Sequence, residues 1–243
     1  MDQTSQRNKE NILGDSQIPP CYKGMRPFLF TPDYQAVLYR GTWDIIDKEG
    51  TLPDPSCLID TSSLLEDPIV YHKKKKYHVS RAIGFLSDKI CTSQILRGLI
   101  IKSRPFSPDA EKITEHINQI FGSSYNGIVF DFYRNQADFQ SVGSQINWNL
   151  FEKNGLLMLS LGAPRVIDIR VKKPGQTLYY LNEKGIWIKE TIKPNNNFVY
   201  HLPLDDYSFT LMRGTQFHQI FSYQIPKLSV EIEEHANLTW ISV

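Results

Sequence analysis

Six histidines, at positions 72, 78, 116, 201, 218 and 235, are the natural place to look for chemistry in this chain. An imidazole can hold a metal or move a proton near neutral pH, but needs partner groups for either task. His72 and His78 flank Lys73-Lys74-Lys75-Lys76-Tyr77 in a polar turn and read as exposed loop residues. His201 alternates with apolar neighbours in a strand-like run and reads as a satisfied strand residue. Asp205-Asp206 follows that run and reads as a turn, because spacing alone does not make a general acid–base pair. Cys21, Cys57 and Cys91 show neither metal-ligand spacing nor pairing logic, and Cys91 has no activating neighbours. A CxxC pair, a Gly-rich phosphate loop and a nucleophile elbow are all missing. Residue types fit for catalysis are present, but no short motif groups them.

The elements that would position these residues are easier to read. At 243 residues and 41% hydrophobic, the chain suits one domain with a sizeable core plus a tail, and is not intrinsically disordered. A formal charge of +1 excludes a globally basic nucleic-acid coat. The polar N-terminus lacks an apolar signal-peptide region, no run approaches the roughly 18 apolar residues of a membrane span, and the cysteines favour a reducing compartment. The expectation is an intracellular protein, nuclear or cytoplasmic, with no membrane partner. Residues 1–24 read as a mobile polar tail. Within it Lys9-Glu10-Asn11 spells a KEN degradation signal, with plain solvated tail as the alternative.

Thr31-Pro32 predicts a helix running into the forties, and Ser107-Pro108 predicts a second. In the second, Ile113, Ile117, Ile120 and Phe121 form one apolar stripe that ends at Gly122. Residues 77–104 hold two more strand-like runs. From 127 onward nine short β-rich runs follow, separated by turn signals at Pro174-Gly175, 182–185 and 195–197. That pattern predicts a sandwich or jelly roll.

Several fragments in this order carry a resemblance. They are Phe130-Asp131-Phe132-Tyr133-Arg134-Asn135-Gln136-Ala137-Asp138, Ser141-Val142-Gly143, residues 157–165, Leu202-Pro203-Leu204, Gln224-Ile225-Pro226-Lys227 and Asn237-Leu238-Thr239. Over residues 80–243 the sequence resembles the AlkB family of iron(II)/2-oxoglutarate-dependent dioxygenases, which repair or demethylate nucleic-acid bases. The resemblance implies an α+β, β-dominated fold: a double-stranded β-helix (jelly roll) core at 106–243, with flanking N-terminal helices and a hairpin lid at 25–105. Residues 25–243 would form a single domain.

The family's chemistry needs a His-x-Asp pair and a distal His on the iron. The pair would fall where Gln145-Ile146-Asn147 stands, and no His lies between His116 and His201. Tyr223 occupies the distal position, with His218 five residues earlier. The family's Arg-x-Asn-x-Thr-x-Arg clamp on 2-oxoglutarate corresponds to the run from His235 to Ile241, both arginines being replaced, and its Asn-x-Tyr to Asp131-Phe132-Tyr133. A carboxylate at 131 would repel a dianion. The resemblance therefore implies a pseudoenzyme without cofactor. The enzyme alternative is an oxygenase with unusual ligands from His201, His218, His235 and a carboxylate.

The positive feature is electrostatic. Residues 72–104 carry nine Lys or Arg against Asp88 alone, a net +8, while residues 205–243 carry two basic and five acidic residues. The basic segment matches the family's substrate-contacting lid. Its candidate nucleic-acid contacts are Lys73, Lys74, Lys75, Lys76, Tyr77, Arg81, Lys102 and Arg104, the cations for phosphates and Tyr77 for stacking on an unpaired base. Two other readings stay open: a solvated hairpin whose lysines prevent edge aggregation, and docking to an acidic protein. A purely structural interaction subunit is the third functional class.

Overall fold

A computed structural model describes residues 17–61, 64–72, 75–96, 98–141, 155–194, 196–214 and 216–243. Lys9-Glu10-Asn11, Lys73, Lys74, Arg97, Gln145 and Asn147 lie outside the described residues, as do the side chains of Lys75 and Tyr77. The N-terminal part contains β1 (Arg26–Phe30), β2 (Val37–Thr42) and the one-turn α1 (Trp43–Ile46). The lid region follows, with β3 (Ile69–His72), β4 (Lys75–His78), β5 (Ala82–Ser87), β6 (Thr92–Leu96), β7 (Leu99–Lys102) and the short β8 (Arg104–Pro105). Next come α2 (Pro108–Phe121), β9 (Gly127–Tyr133), β10 (Leu156–Gly162), β11 (Arg165–Val171), β12 (Thr177–Leu181) and β13 (Trp187–Thr191). The chain ends with β14 (Val199–Leu204), β15 (Ser208–Arg213), the short α3 (Phe217–Ile220), β16 (Phe221–Gln224) and β17 (His235–Ile241). Each of the nine predicted β-rich runs is a strand.

Ten strands form one sheet in the order β13-β12-β1-β2-β15-β10-β17-β9-β5-β8. Facing it is a three-stranded sheet, β14-β11-β16. The chain crosses between them after β10, β11, β13, β14, β15 and β16, which winds the two sheets into a double-stranded β-helix. Ile167, Ile169, Leu202, Leu204, Phe221 and Tyr223 of the small sheet pack with Tyr133, Leu156, Met158, Met212 and Ile241 of the large one in a single apolar cluster. One crossing depends on glycine: Gly162 has φ +87, and a Cβ there would stand 2.5 Å from the Glu234 carbonyl. The fold is β-dominated, with a jelly-roll centre. Among the described residues no helix is long and apolar enough to cross a membrane.

Helix α2 follows its sequence signals closely. The Ser107 side chain accepts from the Ala110 amide, Pro108 opens the first turn, and Gly122 closes it in the left-handed region at φ 60. Its apolar stripe covers the outer face of the large sheet, where Ile113, Ile117 and Phe121 pack with Leu238 and Trp240. Trp240 Nε1 donates to Thr114 Oγ1 at 3.1 Å. Strand β17 is consequently buried on both faces.

The Thr31-Pro32 helix does not form. Tyr34 N donates to the Thr31 carbonyl and Thr31 N to the Ala36 carbonyl, so these residues make the turn between β1 and β2. Thr31 Oγ1 also donates to Asp33 at 2.7 Å and accepts from Ala36 N at 3.2 Å. A Thr-Pro-Asp sequence serves a β-turn as readily as a helix start, and the Ala36-Val37-Leu38-Tyr39 run that follows decides for strand. The N-terminal region thus adds two strands to the large sheet where a helix was predicted. The packed body also begins before residue 25, because the Tyr22 ring stacks on Phe121 at 6.1 Å and lies under the Arg213 guanidinium at 4.2 Å.

Candidate functional site

Strand alternation determines what enters the jelly-roll interior. Along β17, Ala236, Leu238 and Trp240 turn outward to α2, so His235, Asn237, Thr239 and Ile241 face inward. Register then aligns the neighbouring strands: Asn237 opposes Asp131 on β9 and Ser160 on β10, and Ser160 opposes Ser208 on β15. One rung further, His235 opposes Tyr133 and Gly162. A polar seam therefore crosses the middle of the large sheet, inside an otherwise apolar core.

The seam's charges are bonded. Arg81 Nε lies 2.5 Å from Asp131 Oδ1, and both side chains are buried. Burial works to lower the Arg81 pKa, yet the Asp131 charge and hydrogen bond outweigh it and hold the guanidinium above its ordinary value. Burial raises the Tyr133 hydroxyl well above the usual tyrosine range, with Asp131 adding to the effect. That hydroxyl donates to Gln140 Oε1 at 3.2 Å. Above the Tyr133 ring, 4.6 Å from its centroid, sits the guanidinium of Arg165. Arg165 donates to the carbonyls of Asp138 (2.9 Å) and Asn135 (2.5 Å) and so ties the turn after β9 to β11.

His235 is almost wholly buried, and burial lowers its pKa to about 4, so the ring is neutral near pH 7. Its Nδ1 lies 2.8 Å from the Ala163 carbonyl, a contact that requires the proton on Nδ1. Nε2 is then an acceptor, 3.2 Å from another acceptor, Asn237 Oδ1. Turning the Asn237 amide over makes this a donor contact and gives Nδ2 the partner it otherwise lacks. Among the described residues, the Thr239, Ser208 and Thr210 hydroxyls and Gln140 Nε2 also have no hydrogen-bond partner. An interior of this kind can hold hydrogen-bonding groups, at a cost of roughly 1–3 kcal/mol for each one left unmet.

The structure brings Asp131, Tyr133, Tyr223, His235 and Ile241 into this one core. Tyr223 faces inward from β16 opposite Ile169, and Ile241 packs against the Gly127 position. An isoleucine and a neutral imidazole stand where the resemblance implies two guanidinium groups, and Asp131 is engaged by Arg81. The ligands of the enzyme alternative are also separated. His201 projects from the solvent face of the small sheet, Nδ1 2.8 Å from Asp168, whereas His235 lies between the sheets. Among the described residues no three His, Cys, Asp or Glu side chains gather into a metal-binding group.

Arg81 belongs to the core and not to the lid surface, which corrects its expected role in nucleic-acid contact. Fully buried and ion-paired, it cannot reach a phosphate. Arg81 immediately precedes β5, whose Ile83 and Phe85 enter the apolar cluster between the sheets. No sequence signal distinguished Arg165 or Gln140 as interior polar groups.

Two hairpins form the lid, β3–β4 and β6–β7. Lys76, Lys102 and Arg104 are exposed, Arg104 standing 3.3 Å from Asp60. Arg134 fastens the first hairpin to the core, with Nη2 2.6 Å from Asp67 and Nε 2.8 Å from Asp138. Asp67 is held below the usual carboxylate range, first by that hydrogen bond.

Fold and interior together define a double-stranded β-helix protein with a charge-paired polar core. No family model matches the chain, and no curated protein matches it. A solved structure described as "The structure of OsALKBH1" is similar, at 10% identity and a TM-score of 0.41 over 86% of this chain and 97% of that one.

Proposed function

We propose that this chain is a degenerate AlkB-like protein that acts by binding and not by iron-dependent oxidation. The observation that carries the proposal is the buried Arg81–Asp131 pair. Where the resemblance implies a neutral cosubstrate contact, an anion is locked to a cation supplied by the residue before β5. Breaking that pair to admit a dianion would strand a charge in the core. His235 and Ile241 support the same reading, because neither offers a fork for a carboxylate. Calorimetry with iron(II) and 2-oxoglutarate is expected to show neither binding. Stoichiometric iron uptake with 2-oxoglutarate-dependent turnover of a methylated oligonucleotide would overturn the proposal.

The binding surface in this reading is the basic lid, and its ligand class is nucleic acid, contacted through phosphates. Exposed Lys76 and Lys102 support it, together with the sequence of the lysine run. Replacing Lys73, Lys74, Lys75 and Lys76 by Ala is expected to weaken oligonucleotide binding. It should also flatten the salt dependence by about 0.7–0.9 in logarithmic slope for each phosphate that is no longer neutralised. An unchanged slope would leave a scaffold that touches proteins only. Either role belongs in the nucleus or cytoplasm, in keeping with three free cysteines.

A further inference from the structure

Exposed large hydrophobic side chains are unevenly spread over the molecule. Among the described residues they are Tyr34, Leu65, Ile69, Ile90, Ile100, Val230 and Val243, and four of these belong to the lid region. Ile100 is 68% exposed and Ile90 60%. On the open face of the β6–β7 hairpin, Gln94 opposes Ile100 and Thr92 opposes Lys102. Lys89 and Ile90 lead into this face and Arg104 follows it. Phosphate binding calls for the cations but gives no reason to hold isoleucines in water, whereas a protein contact needs both.

A surface of opposite character lies elsewhere on the same chain. Residues 229–234 read Ser-Val-Glu-Ile-Glu-Glu, outside any helix or strand, with Val230 64% exposed and Glu231, Glu233 and Glu234 exposed. Aliphatic and acidic residues alternate there, whereas the hairpin face carries exposed Ile100 next to exposed Lys102. The exposure of Ile100 and Val230 shows that the two surfaces do not meet within one chain.

We propose that the open face of the β6–β7 hairpin docks onto residues 229–234 of a second copy of this chain, forming a two-fold dimer. Two-fold symmetry then makes the contact twice, each lid taking the other's acidic segment. Doubling matters, because a specific interface buries roughly 1,000 Å² or more. The inference rests on the reading of the lid as a binding surface.

Sedimentation equilibrium of the full chain tests it. A monomer–dimer equilibrium is expected, weakened by salt, with Ile100→Asp and Val230→Asp each raising the dimer dissociation constant about tenfold or more. Both positions are solvent-exposed, so unchanged thermal unfolding of the monomer will show that the fold is intact. Lys102→Glu should weaken the dimer, and adding Glu231→Lys with Glu233→Lys should restore it. A chain that stays monomeric, or a dimer indifferent to these substitutions, overturns the dimer. Oligonucleotide titration separates the two readings. Binding by a strict monomer removes only the dimer, and dimerisation without any oligonucleotide affinity removes only the nucleic-acid reading.

Discussion

The interior seam and the lid handle charge in opposite ways. Inside, each cation has a fixed partner: Arg81 meets Asp131, and Arg165 meets the carbonyls of Asn135 and Asp138. On the lid, Lys76 and Lys102 stand in water beside exposed isoleucines. The first arrangement organises a fold, because a buried charge without its partner is intolerable. The second leaves charge available to a partner, and exposed cations contribute little to stability. Summed composition hides this difference. Arg81 counts toward the +8 of residues 72–104, yet none of its charge reaches the surface.

The comparison breaks most visibly at Arg81. Arg81→Ala leaves Asp131 buried and unpaired, and is expected to cost about 3–5 kcal/mol of unfolding free energy in urea titration. The double variant Arg81→Met with Asp131→Leu removes both charges and should recover most of that loss. If Arg81→Ala behaves like a surface substitution, the seam is not the organising feature described above.

His235 gives the next largest effect, and it depends on pH. The ring titrates at about 4 in the folded protein against 6.5 for an ordinary histidine. The folded state therefore binds fewer protons than the unfolded one as pH falls below 6.5. Stability contributed by the neutral ring is complete above 6.5 and is lost progressively down to about 4, in total about 3 kcal/mol. His235→Gln should flatten this part of the stability–pH curve. An identical acid limb in both proteins would show that other groups govern it.

Much of this fold is written in local pattern. The nine runs after residue 127 carry β-branched and aromatic residues between turn signals, and α2 carries a cap, a proline, a stripe and a closing glycine. What stays hidden is whatever depends on a distant partner. Thr31-Pro32 serves a helix or a turn equally well, and pairing of β1 with β2 and β12 settles it. Arg81 resembles its basic neighbours until β9 is set beside β5, with Asp131 within reach. The seam likewise needs the register of β9, β17, β10 and β15, which no single segment contains.

The smallest effect comes from the outermost charge pair. Arg104 meets Asp60 at 3.3 Å with both side chains more than half exposed, so hydration competes for each charge and salt screens their attraction. Arg104→Ala is expected to change unfolding free energy by no more than about 0.5 kcal/mol. Lys102→Ala should be equally quiet in urea titration, while oligonucleotide affinity falls uniformly across sequences and loses salt dependence. This split sharpens the comparison, since the interior substitutions must do the reverse. They should lower stability steeply and leave the salt dependence of binding unchanged wherever the fold survives. A lid substitution that unfolds the protein would mean that the hairpin's cations belong to the same structural network as Arg81. The exposure of Lys102 argues against that, because a side chain in water has little packing to lose.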